Sequence, residues 1–229
     1  MARNYTDEDL QDIYRYFVKK PAAYFSKWEQ LPPCPIRAWN HSYAGHDFPR
    51  VWAFLDLDEW IKKYNFQSPD CMASTFGGDP EMQLFRPKTL VEIPYPPYDL
   101  HQIATHYQNQ FDFFLFNQTL EHLHNPYEAV RQIHLTMKQG GYVFTSVPTI
   151  NIPHSTPIHF GGINPMGLAM LFISNGFRVV EMGQWGNYDY IKKLFKTHKW
   201  PDATELLKQG RITNEEENVC QCWILAQKL

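Results

Sequence analysis

The sequence predicts an α/β protein built on a doubly wound parallel sheet. Residues 111–148 carry that prediction through an apolar run, a capped amphipathic helix and a second apolar run. Phe111, Phe113, Phe114, Leu115 and Phe116 leave almost no polar position, as in a strand covered on both faces. Asn125 is placed to cap a helix, Pro126 suits its first position and Glu128 can complete a capping box. Val130, Ile133 and Met137 form its apolar stripe. Lys138 suits the negative helix end, and Gly140-Gly141 allow a left-handed exit. Residues 142–147 read as a second buried strand. Strand, helix and strand at this length make a right-handed crossover, which requires parallel strands. Ligands of such sheets bind beyond the carboxyl ends of the strands. That rule puts Asn117, Gln118, Glu121, His122 and the chain after Pro148 at the expected site.

The other elements follow in chain order. Thr6 caps a first helix, with Asp7, Glu8 and Asp9 at its positive end and Leu10, Ile13, Tyr14 and Phe17 as its stripe. Residues 22–28, ending at Trp28, suit a short second helix, and residues 52–64 a third. A first strand is expected over 71–75 and a second over 89–93. Between them lie Thr75, Phe76, Gly77, Gly78 and Asp79, a turn whose glycines let backbone approach a ligand, with Asp79-Pro80 opening a helix. Residues 149–164 form a long irregular segment holding His154, Ser155, Thr156 and His159, and loops of that length are often functional. Asn164-Pro165 starts another helix, residues 177–182 a strand and residues 219–226 the last strand. Residues 184–218 are an insertion opened by Trp185, Asn187, Tyr188 and Tyr190.

Composition narrows the function. The 229 residues fit one domain, expected over 67–229, plus a helical extension over 1–66. A 44% hydrophobic and 16% aromatic content supports a sizeable core. A net charge of −3 argues against a nucleic-acid partner. No apolar run is long enough to span a membrane, and the acidic, polar start is unlike a signal peptide. Cys34, Cys71, Cys220 and Cys222 form no CxxC pair, so reduced thiols and a cytoplasmic location are expected. On a regular strand Cys220 and Cys222 would share one face.

The block FDFFLFNQTLEHLHNPYEAVRQIHLTMKQGGYVFTSVP, followed by HFGGINPMGL and NGFRVVE, resembles class I S-adenosylmethionine (SAM)-dependent methyltransferases over residues 70–187. The resemblance implies a Rossmann-like seven-stranded sheet in the order 3-2-1-4-5-7-6, the seventh strand antiparallel, with the third strand at Asp99-Leu100-His101. It implies SAM as cofactor, S-adenosylhomocysteine as product, and a site around Thr75, Phe76, Gly77, Gly78, Asp79, Glu92, Asp99, Leu100, Asn117 and Gln118. The glycine loop departs from the family pattern: Ser74 and Thr75 stand where an acid is usual, and two adjacent glycines replace three spaced ones. Asp79 is the candidate replacement for the missing carboxylate, and Glu92 the candidate partner of the ribose hydroxyls.

Methyl transfer to oxygen needs alignment and a base. His122 and His159 are the candidate bases, Glu121 the group that orients or polarises, and His154, Trp185 and Tyr188 the candidate acceptor contacts. The expected acceptor is a sugar or another small molecule. A divalent cation on Glu121, His122, His154 and His159 is less favoured, because no compact ligand motif is present. The rival readings are a catalytically inactive binding module on the same fold and a nicotinamide oxidoreductase, which lacks its GxGxxG here. Whether the extension forms a lid or a homo-oligomer contact is open in the sequence.

Overall fold

A computed structural model describes residues 5–27, 31–77, 79–154, 158–208, 210 and 213–229. Trp28, Gly78, Ser155 and Thr156 lie outside the described residues. The chain runs α1 (Asp7–Ile13), α2 (Ala22–Ser26), α3 (Phe48–Tyr64), β1 (Cys71–Ser74), β2 (Thr89–Glu92) and β3 (Phe111–Leu115). It continues with α4 (Pro126–Thr136), β4 (Met137–Pro148), α5 (Pro165–Ile173), β5 (Phe177–Gly186), α6 (Tyr188–Thr197), α7 (Ala203–Lys208) and β6 (Val219–Lys228).

The sheet has six strands in the order β2-β1-β3-β4-β6-β5, not the expected seven. β1 to β4 are parallel, and β6 is antiparallel to both of its neighbours. The missing strand is the expected edge at residues 99–101. There the Asp99 carboxylate accepts from the His101 backbone N–H at 2.9 Å and starts a 3-10 turn, Leu100–Thr105. That turn buries Leu100, Ile103 and Ala104, the first two within the core. A side chain that bonds its own backbone two residues on competes with ladder pairing, and here it prevails. The first crossover is also shortened. After β1 only a five-residue 3-10 turn, Pro80–Leu84, forms where a helix was expected.

Each face of the sheet carries one core. On one face α4 and α5 cover Phe111, Phe114, Phe116, Val143 and Val147. Asn125 caps α4 by accepting from the Glu128 N–H, and Asn164 caps α5 by accepting from the Gly167 N–H. Glu128 completes no capping box, because Arg131 and Gln132 hold its carboxylate. The other face is covered by α3, which precedes the sheet in the chain. Val51, Trp52, Phe54, Leu55, Leu57, Trp60 and Ile61 are all buried, as in a helix surrounded by protein. Cys220 and Cys222 do not share a face: Cys220 joins the α3 core and Cys222 the opposite one. A bulge opposite Trp185 and Gly186 flips the alternation between them.

Asp56, on α3, is fully buried and accepts from the Trp223 indole N–H at 2.9 Å and the Tyr24 hydroxyl at 3.1 Å. Lys27 pairs with it at 3.1 Å. A Cβ at Gly183 would come within 2.1 Å of Trp223 Nε1 and 2.5 Å of Asp56 Oδ2, so only glycine admits this contact. Asp56→Ala strands a buried indole N–H and leaves Lys27 paired with Glu59, and is expected to cost about 3 kcal/mol. Gly183→Ala should also lower the melting temperature by forcing the pair apart. Thermal unfolding followed by circular dichroism checks both, and an unchanged transition in both would remove this pin from the account.

Candidate active site at the carboxyl ends of the strands

Hydrogen bonds run past the strand ends and align the loops that follow. Ile93 N–H donates to Ser74, Thr75 N–H to Leu115, Phe116 N–H to Phe144 and Gln118 N–H to Ser146. The turns after β1, β2, β3 and β4 therefore share one edge of the sheet.

At the β1–β2 side, Glu92 is exposed and its carboxylate lies over Gly77, where a Cβ would meet Glu92 Oε1 at 2.4 Å. Phe76 is exposed and Thr75 half-buried beside it. Asp79 faces inward, and Arg50 from α3 donates to it at 2.7 Å and to Glu81 at 3.1 Å. Burial and the neighbouring Glu81 raise the Asp79 pKa to about 6 against the pull of Arg50. Asp79 therefore serves an internal ion pair. That arrangement disagrees with its expected part as the carboxylate for the cofactor's amino group. Leu100 is buried in the core and presents no open apolar face. Asp99 is held by the His101 backbone N–H at 2.9 Å and the His101 ring Nδ1 at 2.6 Å.

After β3, Asn117 is buried and its side-chain N–H2 has no partner among the described residues. Gln118 takes a left-handed conformation, φ 48°, and its amide donates to Ser146 Oγ at 3.0 Å. A non-glycine residue held there is sparsely populated and is often found at a functional turn. The Leu120–His122 turn follows.

The long loop after β4 folds back onto that turn. Phe160 N–H donates to the Glu121 carbonyl at 2.8 Å, and Ile163 N–H to the Pro148 carbonyl at 3.0 Å. Gly162 permits the return, since a Cβ would fall 2.2 Å from the Thr149 carbonyl oxygen. His122, His154 and His159 are thereby brought together. The His122 and His154 Nε2 atoms are 3.3 Å apart, and the His154 and His159 rings stack at 4.8 Å. His122 Nδ1 lies 2.9 Å from the Ile158 carbonyl, and His154 Nδ1 3.0 Å from the Ile152 carbonyl. A carbonyl only accepts, so both Nδ1 atoms carry their protons when the rings are neutral. Two Nε2 lone pairs then face each other, and the contact is favourable when one proton lies between them.

Glu121 is 2% exposed and its Oε1 is 4.0 Å from His122 Nε2. Its Oε2 and the His159 Nε2 are buried with no hydrogen-bond partner among the described residues. Burial raises the Glu121 pKa to about 7. Burial lowers that of His122, aided by His154, and that of His159, aided by His154 and His122. Among the described residues no group of three or more His, Cys, Asp or Glu side chains is arranged to hold a metal ion.

Two expected acceptor contacts lie elsewhere. Trp185 is fully buried against Phe48 and Tyr190, because β5 continues through it to Gly186. Tyr188 is 55% exposed, with Lys192 over its ring. In their place Trp200 stands edge-on to His154 at 5.7 Å and donates its N–H to Asn151 at 3.0 Å. Neither Trp200 nor Arg50 carries a local motif, and both arrive by long-range packing.

The residues present fit a SAM-sized cofactor at two points, the exposed Glu92 beside the glycine turn and the orphaned Asn117 amide. At Asp79 they do not. Residues 68–199 match the family model described as a methyltransferase domain. No curated protein matches the chain by sequence. The fold is similar to that of the [4+2]-cyclase SpnF, with TM-score 0.52 and 12% identity, covering 93% of this chain and 98% of that one. A SAM-dependent methyltransferase from Archaeoglobus fulgidus aligns at TM-score 0.48 and 14% identity over 76% of this chain and 94% of its own. The SAM complex of a phosphoethanolamine N-methyltransferase from Haemonchus contortus aligns at TM-score 0.46 and 13% identity over 89% and 59%.

The buried Glu121 makes stability depend on pH. Its folded pKa, about 7, exceeds its ordinary 4.5, so the protonated folded form is favoured below pH 4.5 and the advantage is lost as pH rises through 7. That displacement corresponds to on the order of 3 kcal/mol. Glu121→Gln should therefore fall less in stability between pH 5 and pH 8 than the parent. Urea unfolding at the two pH values measures the difference, and identical slopes would show that Glu121 is not desolvated.

With its match spanning more than half the sequence, the chain belongs to the methyltransferase-domain family and is a SAM-dependent methyltransferase.

Proposed function

We propose that the chain methylates an oxygen of a small hydroxylated acceptor, with a sugar as the favoured class, and that His122 takes the acceptor's proton. The observation that carries this reading is the His122–His154 pair, with each Nδ1–H tied to a backbone carbonyl and the two Nε2 atoms 3.3 Å apart. The carbonyls fix the tautomers, so the basic atom is Nε2. Burial keeps His122 unprotonated near neutral pH. A proton arriving at His122 Nε2 is shared with His154 Nε2, which spreads the charge over two rings. Glu121, when ionised, stabilises that charge from 4.0 Å. His159, whose Nε2 lacks a partner, is the second candidate base.

Bound SAM supplies the electrophilic methyl group. Glu92 would hold the ribose hydroxyls, and Gly77, Phe76, Thr75, Asn117 and Gln118 would line the rest of the cofactor's place. The extension formed by residues 1–66 acts in this reading as a fixed wall, since α3 is part of the core.

A second reading, a binding module without transferase activity, is favoured by the Arg50–Asp79 pair and the shortened turn after β1. Calorimetric titration with S-adenosylhomocysteine separates the two. Micromolar binding is expected, weakened about tenfold in Glu92→Ala by loss of hydrogen bonds to the ribose. No binding to well-folded protein would favour the module.

His122→Asn is expected to slow transfer of labelled methyl groups to sugar acceptors by about 10²–10⁴-fold. Cofactor affinity should stay within about twofold, because the residue is not at the cofactor loop. The parent's rate should rise with pH through a midpoint below 6.5, since burial lowers the His122 pKa, and rise further as Glu121 ionises around pH 7. Activity of the variant within a few-fold of the parent would exclude His122 as the base.

A further inference from the structure

A narrow slot opens beside the histidines, between the N-terminal extension and the 184–218 insertion. Asp47, Tyr190, Gln221, Gln118, Asn151 and Trp200 are among its lining residues, and its volume is about 20 Å3, room for one water-sized group. It lies at the carboxyl ends of β3 and β4, where Gln118 and Pro148 reach it. Trp200 connects it to the histidine cluster through its contact with His154.

The slot is polar and its hydrogen bonding is incomplete. Tyr190 donates to Asp47 Oδ1 at 2.5 Å and the Phe48 and Arg50 backbone N–H groups also bond the carboxylate, which with about four acceptor sites keeps one open. Gln221 is 3% exposed, and its side-chain N–H2 has no hydrogen-bond partner among the described residues. Leaving a buried donor unpaired costs about 1–3 kcal/mol, so a native orphan calls for an explanation. The Gln118 amide is already spent on Ser146, and Asn151 Oδ1 on the Trp200 and Ile152 N–H groups.

We infer that this slot anchors one hydroxyl group of the acceptor, with Asp47 accepting from it and Gln221 donating to it. The inference rests on the methyl-transfer reading and names its substrate class. A hydroxyl both donates and accepts, so it satisfies a carboxylate and an amide N–H2 at once. An ammonium donates only and leaves the Gln221 amide unpaired. A carboxylate accepts only, and a phosphate, although its P–OH can donate, brings its negative charge against Asp47. Beside the slot Trp200 is 47% exposed, with its N–H occupied and its ring face available to stack on the C–H face of a sugar ring. The chemistry therefore selects a neutral polyhydroxylated ring. A second hydroxyl of that ring would be the one presented to His122.

Ligand-observed NMR of the full chain saturated with S-adenosylhomocysteine tests this. The probes are the methyl glycosides of glucose, galactose and mannose, with ethanolamine and inorganic phosphate as the two counter-probes. At least one glycoside should bind while ethanolamine and phosphate do not. Gln221→Glu, which removes the donor at constant shape, should weaken the glycoside at least about tenfold. Trp200→Ala, at an exposed position that cannot unfold the core, should weaken it as well. Homocysteine-cofactor affinity should be unchanged in both variants. Silence of every glycoside, binding of ethanolamine or phosphate alone, or glycoside binding indifferent to both substitutions overturns the inference. If S-adenosylhomocysteine itself does not bind, the methyl-transfer reading fails separately, and the same glycoside titrations without it still decide the slot.

Discussion

Burial of Asp56 is the constraint from which much of the architecture follows. A carboxylate with no exposure survives inside a protein only when donors surround it. Here they come from two distant places: Lys27 and Tyr24 in the extension and Trp223 in β6. Gly183 on β5 provides the clearance. Meeting those demands seats α3 across β5 and β6, and closes one sheet face with chain that precedes the first strand.

Once α3 covers that face, the crossover from β1 to β2 does not need a helix to cover it. The chain turns through Pro80–Leu84 and returns directly to β2. The turn after β1 is thus short for a structural reason. Arg50, brought in by α3, binds Asp79 and Glu81. The acid that could have faced a ligand instead ties the turn to the extension. The altered glycine loop and the helical extension are two sides of one rearrangement.

The parts legible in the sequence were those with local causes. The phenylalanine run of β3, the Asn125-Pro126 and Asn164-Pro165 helix starts, and the irregular segment after Pro148 all depend on neighbours within a few residues. The edge strand was misread because Asp99-Leu100-His101 was matched to a family pattern. Leu100, Ile103 and Ala104 already sat at helical spacing, and Asp99 was placed to start the turn. The burial of Trp185 was not legible, because nothing local shows that β5 runs four residues further than its apolar pattern. The histidines were legible as a group, since strand topology puts both of their loops at one edge. The pairing of His122 and His154 was not, because it depends on Gly162 letting the loop back against Thr149. Asp47, Trp200 and Gln221 were invisible as site residues: each is far in sequence from the others, and packing alone joins them.

The two sides of the proposed site differ in environment. At the proposed cofactor place Glu92 and Phe76 meet solvent and Thr75 is half-buried, with Asn117 the buried exception. On the proposed acceptor side Glu121 Oε2, His159 Nε2 and the Gln221 amide are buried and lack a partner among the described residues. Such deficits cost stability, and a fold with two well-filled cores on either side of its sheet can carry them. Unpaired buried groups clustered around two histidines with fixed tautomers are poorly explained as packing, which would have placed apolar side chains there. They are well explained as a surface shaped for a polar molecule that brings its own donors and acceptors.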